Sequence, residues 1–267
     1  MNFHDSIKSL AAHLAKIDEN TYTDEDILLE DSRNLCNSLD GLGNNEHTLD
    51  DPSAAELFIK LHQMLDFCCK DSNSLNQLLG ILKELGNNPK IRKHLQKMDF
   101  ISLLANCLLN REMEENSEIL CVLNKLTKGF RMETPEIFLI SLIPFLVDGI
   151  VEAAFDRSKI SLAILVNLCQ SRPGIDILCK YCNTKNLTKK IITQEGYGLL
   201  ALRILYGIGI YSRDNKIFWN TLLAIFREID KLISQGDAES CQECFEFLLQ
   251  LTDEPLGEYS DLFNQHD

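Results

Sequence analysis

Apolar positions along this chain recur in a phrase. An apolar stretch ends in Leu-x-x-Leu, a polar turn follows, and a further apolar stretch begins. The pairs are Leu39/Leu42, Leu82/Leu85, Leu123/Leu126, Leu165/Leu168, Leu205/Ile208 and Leu248/Leu251. Their first members stand 43, 41, 42, 40 and 43 residues apart. Five nearly equal steps of this size predict a tandem repeat whose unit is two or three helices. Within one unit, Leu75, Leu78, Leu79, Leu82 and Leu85 fall at i, i+3, i+4, i+7 and i+10, one face of a helix. Gly86-Asn87-Asn88-Pro89 should end it, because glycine suits the left-handed cap and proline cannot extend the hydrogen-bond ladder. Ile91, Leu95 and Met98 then open a second helix, and Ile101 to Leu108 make a third.

The same grammar returns twice. Ile160 to Cys169 is followed by the break Gln170 to Gly174, by Ile175 to Cys179, and by Leu187 to Ile192. Leu199 to Ile208 is followed by a break at Tyr211 to Asn215 and a helix from Ile217 to Ile229. One such helix cannot bury its apolar stripe alone, so neighbouring units must stack. The expected fold is all-α, an armadillo/HEAT-like right-handed α-solenoid of about six repeats. We expect a single solenoid over 1–267: an acidic, degenerate repeat in 1–60, central repeats in 61–235 and an acidic cap in 236–267. Residues 18–34 and 40–53 are expected to be loops around the degenerate first repeat.

Composition narrows this reading. Glycine (13) and proline (6) are sparse, against a turn-rich all-β fold, and 45% hydrophobic residues exclude a disordered chain. The longest uncharged apolar stretch, Ile137 to Val147, closes at Asp148 and falls short of the about 20 residues that a membrane span needs. The first residues lack a basic segment followed by an apolar block, so no signal peptide is expected. The net charge of −14 is uneven: residues 1–60 hold 13 acidic and 4 basic side chains, and 236–267 hold 9 acidic and none basic. The middle is therefore +4, from −14 + 9 + 9. An acidic chain is a poor partner for nucleic acid, whose phosphates dominate affinity, but a basic middle can meet an acidic protein.

Candidate chemistry is thin. Ten cysteines in a large, leucine-rich chain without a signal peptide read as reduced core thiols, as at Cys107, Cys121 and Cys169. Two Cys-x-x-Cys pairs, Cys179/Cys182 and Cys241/Cys244, could in principle supply four zinc thiolates. The 58 residues between them far exceed the about 15–20 of common zinc signatures, and i, i+3 spacing serves a helical stripe equally well. The six histidines show no ligand spacing, Gly41-Leu42-Gly43 lacks a third glycine and a strand, and no nucleophile elbow occurs. We expect no enzyme activity, no catalytic residue, no metal and no cofactor.

Partner-binding candidates remain. Asn167 sits where armadillo peptide carriers place an asparagine that grips an extended peptide backbone. Register-equivalent positions hold Glu84, Lys125 and Gly207, so no asparagine ladder exists, and capping of a repeat joint is the competing role for Asn167. Lys90, Arg92, Lys93 and Lys97 lie beside one turn, and Lys185, Lys189 and Lys190 beside another. Such residues either solvate helix faces or form a ridge for an acidic partner. The candidate contact set is Lys90, Arg92, Lys93, Lys125, Asn167, Lys189 and Lys190.

Long phrases in the same stretch resemble the armadillo domain of the cancerous inhibitor of protein phosphatase 2A family. They are Leu78 to Leu85 with Asn88 to Arg92, Leu123 to Thr127, Leu139 to Asp148, Ala163 to Cys169, and Trp219 to Gly236. They occur in unchanged order across about residues 70–255. The resemblance implies a scaffold without an active site. It further implies restraint of protein phosphatase 2A through its regulatory B56 subunit, and partnership with a BRCT-repeat checkpoint protein in mitotic genome maintenance. Without a signal peptide or a membrane-length stretch, and with an acidic balance, the chain is expected to be cytoplasmic and to make no direct contact with nucleic acid or membrane. The resemblance adds nuclear or mitotic-chromosome association. Homodimerisation is implied only with a longer C-terminal region, because no heptad segment follows here. The alternative is a generic armadillo carrier that holds an extended peptide in its concave groove.

Overall fold

The computed structural model describes residues 3–18, 25–40, 49, 51–68, 72–110, 116–131, 136–152, 155–193 and most of 200–208, with a few single positions up to 242. The chain divides into two compact units, Met1–Cys182 and Asn183–Asp267. In the first unit, ten helices follow one another: α1 (Phe3–Asp18), α2 (Glu25–Asp40), α3 (Pro52–Cys68), α4 (Ser72–Leu85), α5 (Pro89–Lys97), α6 (Phe100–Leu109), α7 (Ser117–Leu126), α8 (Leu139–Glu152), α9 (Phe155–Leu168) and α10 (Arg172–Tyr181). The second begins with α11 (Thr184–Thr193). The fold is an all-α solenoid.

Two ladders of stacked helices build the first unit. One runs α1, α3, α6, α8, and the other runs α2, α4, α7, α9, each helix packing on the next. Short helices α5 and α10 link the units of the repeat, α5 against α6 and α7, α10 against α8. The leucine phrase explains the second ladder. In three of the pairs the second leucine is the last residue of its helix: Leu85 in α4, Leu126 in α7 and Leu168 in α9. Leu82, Leu85, Leu123, Leu126, Leu165 and Leu168 are all buried, as is the whole stripe Leu75, Leu78, Leu79, Leu82 and Leu85. Burying one such leucine stabilises by about 1.5–3 kcal/mol relative to leaving it in water, and each ladder helix supplies several.

Helix ends follow local chemistry. Asn88 caps α5: its Oδ1 accepts from the backbone N–H of Lys90 (3.0 Å) and Ile91 (3.3 Å), with Pro89 at the first helical position. Asp99 takes φ 64° between α5 and α6, a left-handed turn that aspartate tolerates better than most residues. Gly174 opens α10 so close to the end of α9 that an added Cβ would lie 2.2 Å from the Leu168 carbonyl oxygen. Glycine is required there for the close approach.

The N-terminal expectation needs correction. Residues 25–34, expected as loop, form most of α2. The acidic run Asp24-Glu25-Asp26 reads as a solvated loop or a helix start, and α2 begins within it at Glu25, as acidic residues in a first turn favour. Leu28, Leu35 and Leu39 then fall on one buried face. Buried Asp31 locks α2 to α1: it accepts from Ser9 Oγ at 2.8 Å and lies 2.6 Å from His13 Nδ1.

The second unit shows the same logic. Asn183 Oδ1 accepts from the Asn186 amide at 3.2 Å at the start of α11, and Leu187 and Ile191 are buried on it. Ala201, Ile204, Leu205 and Ile208 are buried at helical spacing. The expected helix 217–229 and the acidic segment 236–267 lie, apart from single positions, outside the described residues. No described helix is long and apolar enough to cross a membrane.

Candidate partner-binding surface

Positions near the end of each ladder helix reach back to the previous unit. Lys125, near the end of α7, donates to the Lys83 carbonyl at 3.0 Å and to Asn87 Oδ1 at 2.5 Å. Asn167, one repeat on at the same point of α9, donates from Nδ2 to Thr127 Oγ1 at 3.1 Å, and lies 3.4 Å from the Asn124 carbonyl oxygen. One repeat earlier, Asn88 Nδ2 reaches the Cys36 carbonyl at 3.5 Å, and Arg33 meets Glu84 at 3.4 Å. The last carbonyls of a helix have no partner within it. The following repeat supplies donors to this region from side chains, and the stack becomes a hydrogen-bonded ladder as well as an apolar one.

This geometry assigns Asn167 to the repeat joint. Its amide is turned onto α7 and the hydroxyl of Thr127, which itself donates to the Leu123 carbonyl at 2.8 Å. Lys125 is likewise engaged at its joint. Burial lowers its pKa below the ordinary lysine value, while nearby Glu84 pulls the other way.

The other cations differ among themselves. Arg92 turns back to donate to the Gly86 carbonyl at 3.1 Å, which closes the α4–α5 turn. Lys90 is half-buried, whereas Lys93 and Lys97 are exposed. Lys189, exposed, and Lys190, half-buried, lie on α11 of the second unit. Sequence reasoning missed Gln96. Its Nε2 donates to the carbonyls of Leu126 (2.6 Å) and Lys128 (3.1 Å), tying α5 to the turn after α7. Exposed Lys128 and Arg131 lie on that connection. A lone glutamine in a helix gives no signal in sequence, because its partners are carbonyls 30 and 32 residues away.

The cysteines divide. Cys36, Cys121, Cys169, Cys179 and Cys182 are half-buried thiols outside any disulfide. Cys107, expected as a reduced core thiol, is disulfide-bonded. Helical periodicity places a cysteine in the core but says nothing of what approaches its sulfur. Burial, reinforced by Asp176, raises Cys179 from 9.0 to about 11. Burial, then Asp148 and Cys179, does the same for Cys182. Cys169 is pushed well up by burial, with Cys179 and Cys182 adding to it. Raised values keep these thiols protonated, the opposite of what a nucleophile or metal ligand needs. Among the described residues, no group of three or more His, Cys, Asp or Glu side chains is placed to hold a metal ion. Cys241 and Cys244 lie outside them.

A family model described as CIP2A, N-terminal, matches residues 58–194. The matched stretch is 137 of 267 residues, from α3 to the end of α11. The chain belongs to the CIP2A N-terminal family. A solved structure, the designed armadillo repeat protein YIII(Dq)4CqI, is similar over 87% of this chain and 96% of its own, with a TM-score of 0.52 and 15% identity. That likeness establishes the armadillo-type fold. No curated protein matches. For a member of the CIP2A N-terminal family, the arrangement is a helical repeat scaffold of a kind that binds proteins. The ladder joints rigidify it, and the exposed cations around α5 are available at its surface.

Proposed function

We propose that this chain acts as a non-enzymatic protein-interaction scaffold that restrains protein phosphatase 2A through its regulatory B56 subunit. The same reading gives it a BRCT-repeat checkpoint partner in mitotic genome maintenance, and a cytoplasmic location with nuclear or mitotic-chromosome association. The observation that carries it is family membership over 58–194. The residues proposed for contact are Lys90, Lys93, Lys189 and Lys190, with Arg92, Lys125 and Asn167 holding the backbone that presents them. Homodimerisation belongs to a longer chain in this reading.

The test is capture of purified B56 subunit and of the BRCT-repeat protein by the chain, with helicity checked by circular dichroism. Retention of at least one partner by the folded chain is the expected result. A folded chain that retains neither sinks the proposal. A generic carrier of extended peptides is disfavoured by Asn167, whose amide is committed to Thr127 and Asn124.

A further inference from the structure

We propose that Cys179 and Cys182, at the end of α10, are a redox site at which a peroxide joins the two thiols in a reversible disulfide. Cys169 is the third thiol of the same cluster. The site lies within the first compact unit and is independent of the scaffold reading.

The helix builds the pair. Cys179 lies in the last turn of α10, and Cys182 is its C-cap. The Cys182 amide still donates to the Leu178 carbonyl at 3.1 Å, so the helical path reaches its Cα. Three residues of α-helix set two Cα atoms about 5 Å apart. Disulfides span Cα separations of about 4.4–6.8 Å, so the backbone can accept a bridge where it stands. Beyond Cys182 the chain turns to extended backbone, with φ −115° and ψ 155°. Both residues are partly open to water, which admits a small oxidant.

Cys169 comes to the same place because α10 starts against the end of α9. Its amide extends α9 by one bond, to the Leu165 carbonyl at 2.9 Å. A Cβ added to Gly174 would stand 3.2 Å from the Cys169 Cα. Cys179 and Cys182 are both near enough to add to the upward shift that burial gives Cys169, and Cys179 adds likewise to Cys182. The charges that act on the pair are negative: Asp176 of α10 on Cys179, and Asp148 of α8 on Cys182. Such surroundings favour a neutral peroxide over an anionic disulfide as the oxidant.

The thiolate of one cysteine attacks a peroxide oxygen, the O–O bond breaks, and a sulfenic acid forms. The hydroxide released takes up the proton that the thiol lost, giving water. The second thiol attacks the sulfenic sulfur, the S–O bond breaks, and a second water leaves with the remaining proton. Two electrons thus pass from the two sulfurs to the peroxide. A small dithiol reverses the bridge by exchange and is itself oxidised. Burial keeps both sulfurs protonated near neutral pH, so bridging is slow and answers sustained exposure.

The experiment uses the whole chain, reduced, freed of reductant and exposed to hydrogen peroxide, with helicity checked by circular dichroism. Alkylation and tryptic mass spectrometry map each cysteine. Cleavage after Lys180 separates Cys179 from Cys182, so their bridge appears as two linked peptides. Cys169 shares a tryptic peptide with Cys179, because Arg172 precedes Pro173, and the Cys169→Ser variant removes that ambiguity. In this variant the Cys179–Cys182 linked species is expected, reversed by dithiothreitol and lost in Cys169→Ser/Cys182→Ser. Its rate of formation should rise about tenfold per pH unit from pH 7 to pH 10, as the thiolate fraction does. Phenylarsine oxide, which condenses with two neighbouring thiols and releases water, reads the reduced pair without waiting for thiolate. It should protect Cys179 and Cys182 together from alkylation in Cys169→Ser, and should lose its hold on Cys179 when Cys182 is also replaced. Absence of the linked peptides at pH 10, bridging mainly to cysteines outside the cluster, or failure of the arsenical to protect the pair would overturn the proposal.

Discussion

Asn167 Nδ2 lies 3.1 Å from the hydroxyl of Thr127, forty residues earlier in the chain, and this bond joins α9 to α7. Thr127 is wholly buried and already donates to the Leu123 carbonyl, so its oxygen is oriented to accept. Asn167→Ala should therefore destabilise the protein by about 1 kcal/mol. Thr127→Val should cost a similar amount. The double variant should fall short of the sum by about 0.5 kcal/mol or more, as expected for residues in direct contact. Urea unfolding of the four proteins measures this, and additivity would remove Asn167 from the joint.

The Asn88 cap offers a local counterpart. Its Oδ1 holds the first amides of α5 while its amide reaches the Cys36 carbonyl. Asn88→Ala should cost about 1 kcal/mol from the cap, plus the long-range bond. Asn88→Asp should retain the cap and lose only the bond to Cys36. A midpoint for Asn88→Asp between wild type and Asn88→Ala is the expected order.

Two glycines should respond differently to alanine. Gly129 has φ +69° and open space around it, so Gly129→Ala adds only the strain of a left-handed alanine, about 1 kcal/mol. Gly174→Ala places a Cβ 2.2 Å from the Leu168 carbonyl oxygen, and backbone must move. Thermal melts should show the larger loss for Gly174→Ala, and equal losses would refute the close approach of α10 to α9.

The raised thiols have a pH consequence. Cys179 and Cys182 stay protonated in the folded chain up to about 11 but titrate near 9.0 when unfolded. Between those values the folded state binds more protons, so their contribution to stability is present below pH 9 and declines as pH rises toward 11. Replacing both with serine should flatten the fall of the melting temperature over that window. The folded thiols should also alkylate with iodoacetamide at pH 8 about a hundredfold more slowly than an unperturbed thiol, from two pH units of lost thiolate. Labelling at the free-thiol rate would contradict their burial.

The repeat was legible because its signal is local and recurs. Leu82/Leu85, Leu123/Leu126 and Leu165/Leu168 each bury one helix end, and the 40–43-residue step between pairs survives any error at a single position. The helix in 25–34 was not legible, since the charges of Asp24 to Asp26 masked a stripe made of only Leu28, Leu35 and Leu39. Lys93 and Lys97 could be singled out from charge alone. That Arg92 would turn inward, and that Gln96 would tie the Lys128 carbonyl to α5, could not.

The sequence by itself determined the helices, their period and the need to stack, because each apolar stripe must be covered and only its neighbours are available to cover it. Tertiary structure alone decided which polar groups are spent in the joints and which are left at the surface. Asn167 and Lys125 look like candidate contacts in sequence, yet both are held by atoms about forty residues away. A side chain's partner across a joint depends on the register of two stacked helices, and distances of a few ångströms between remote segments are fixed only once the stack has formed.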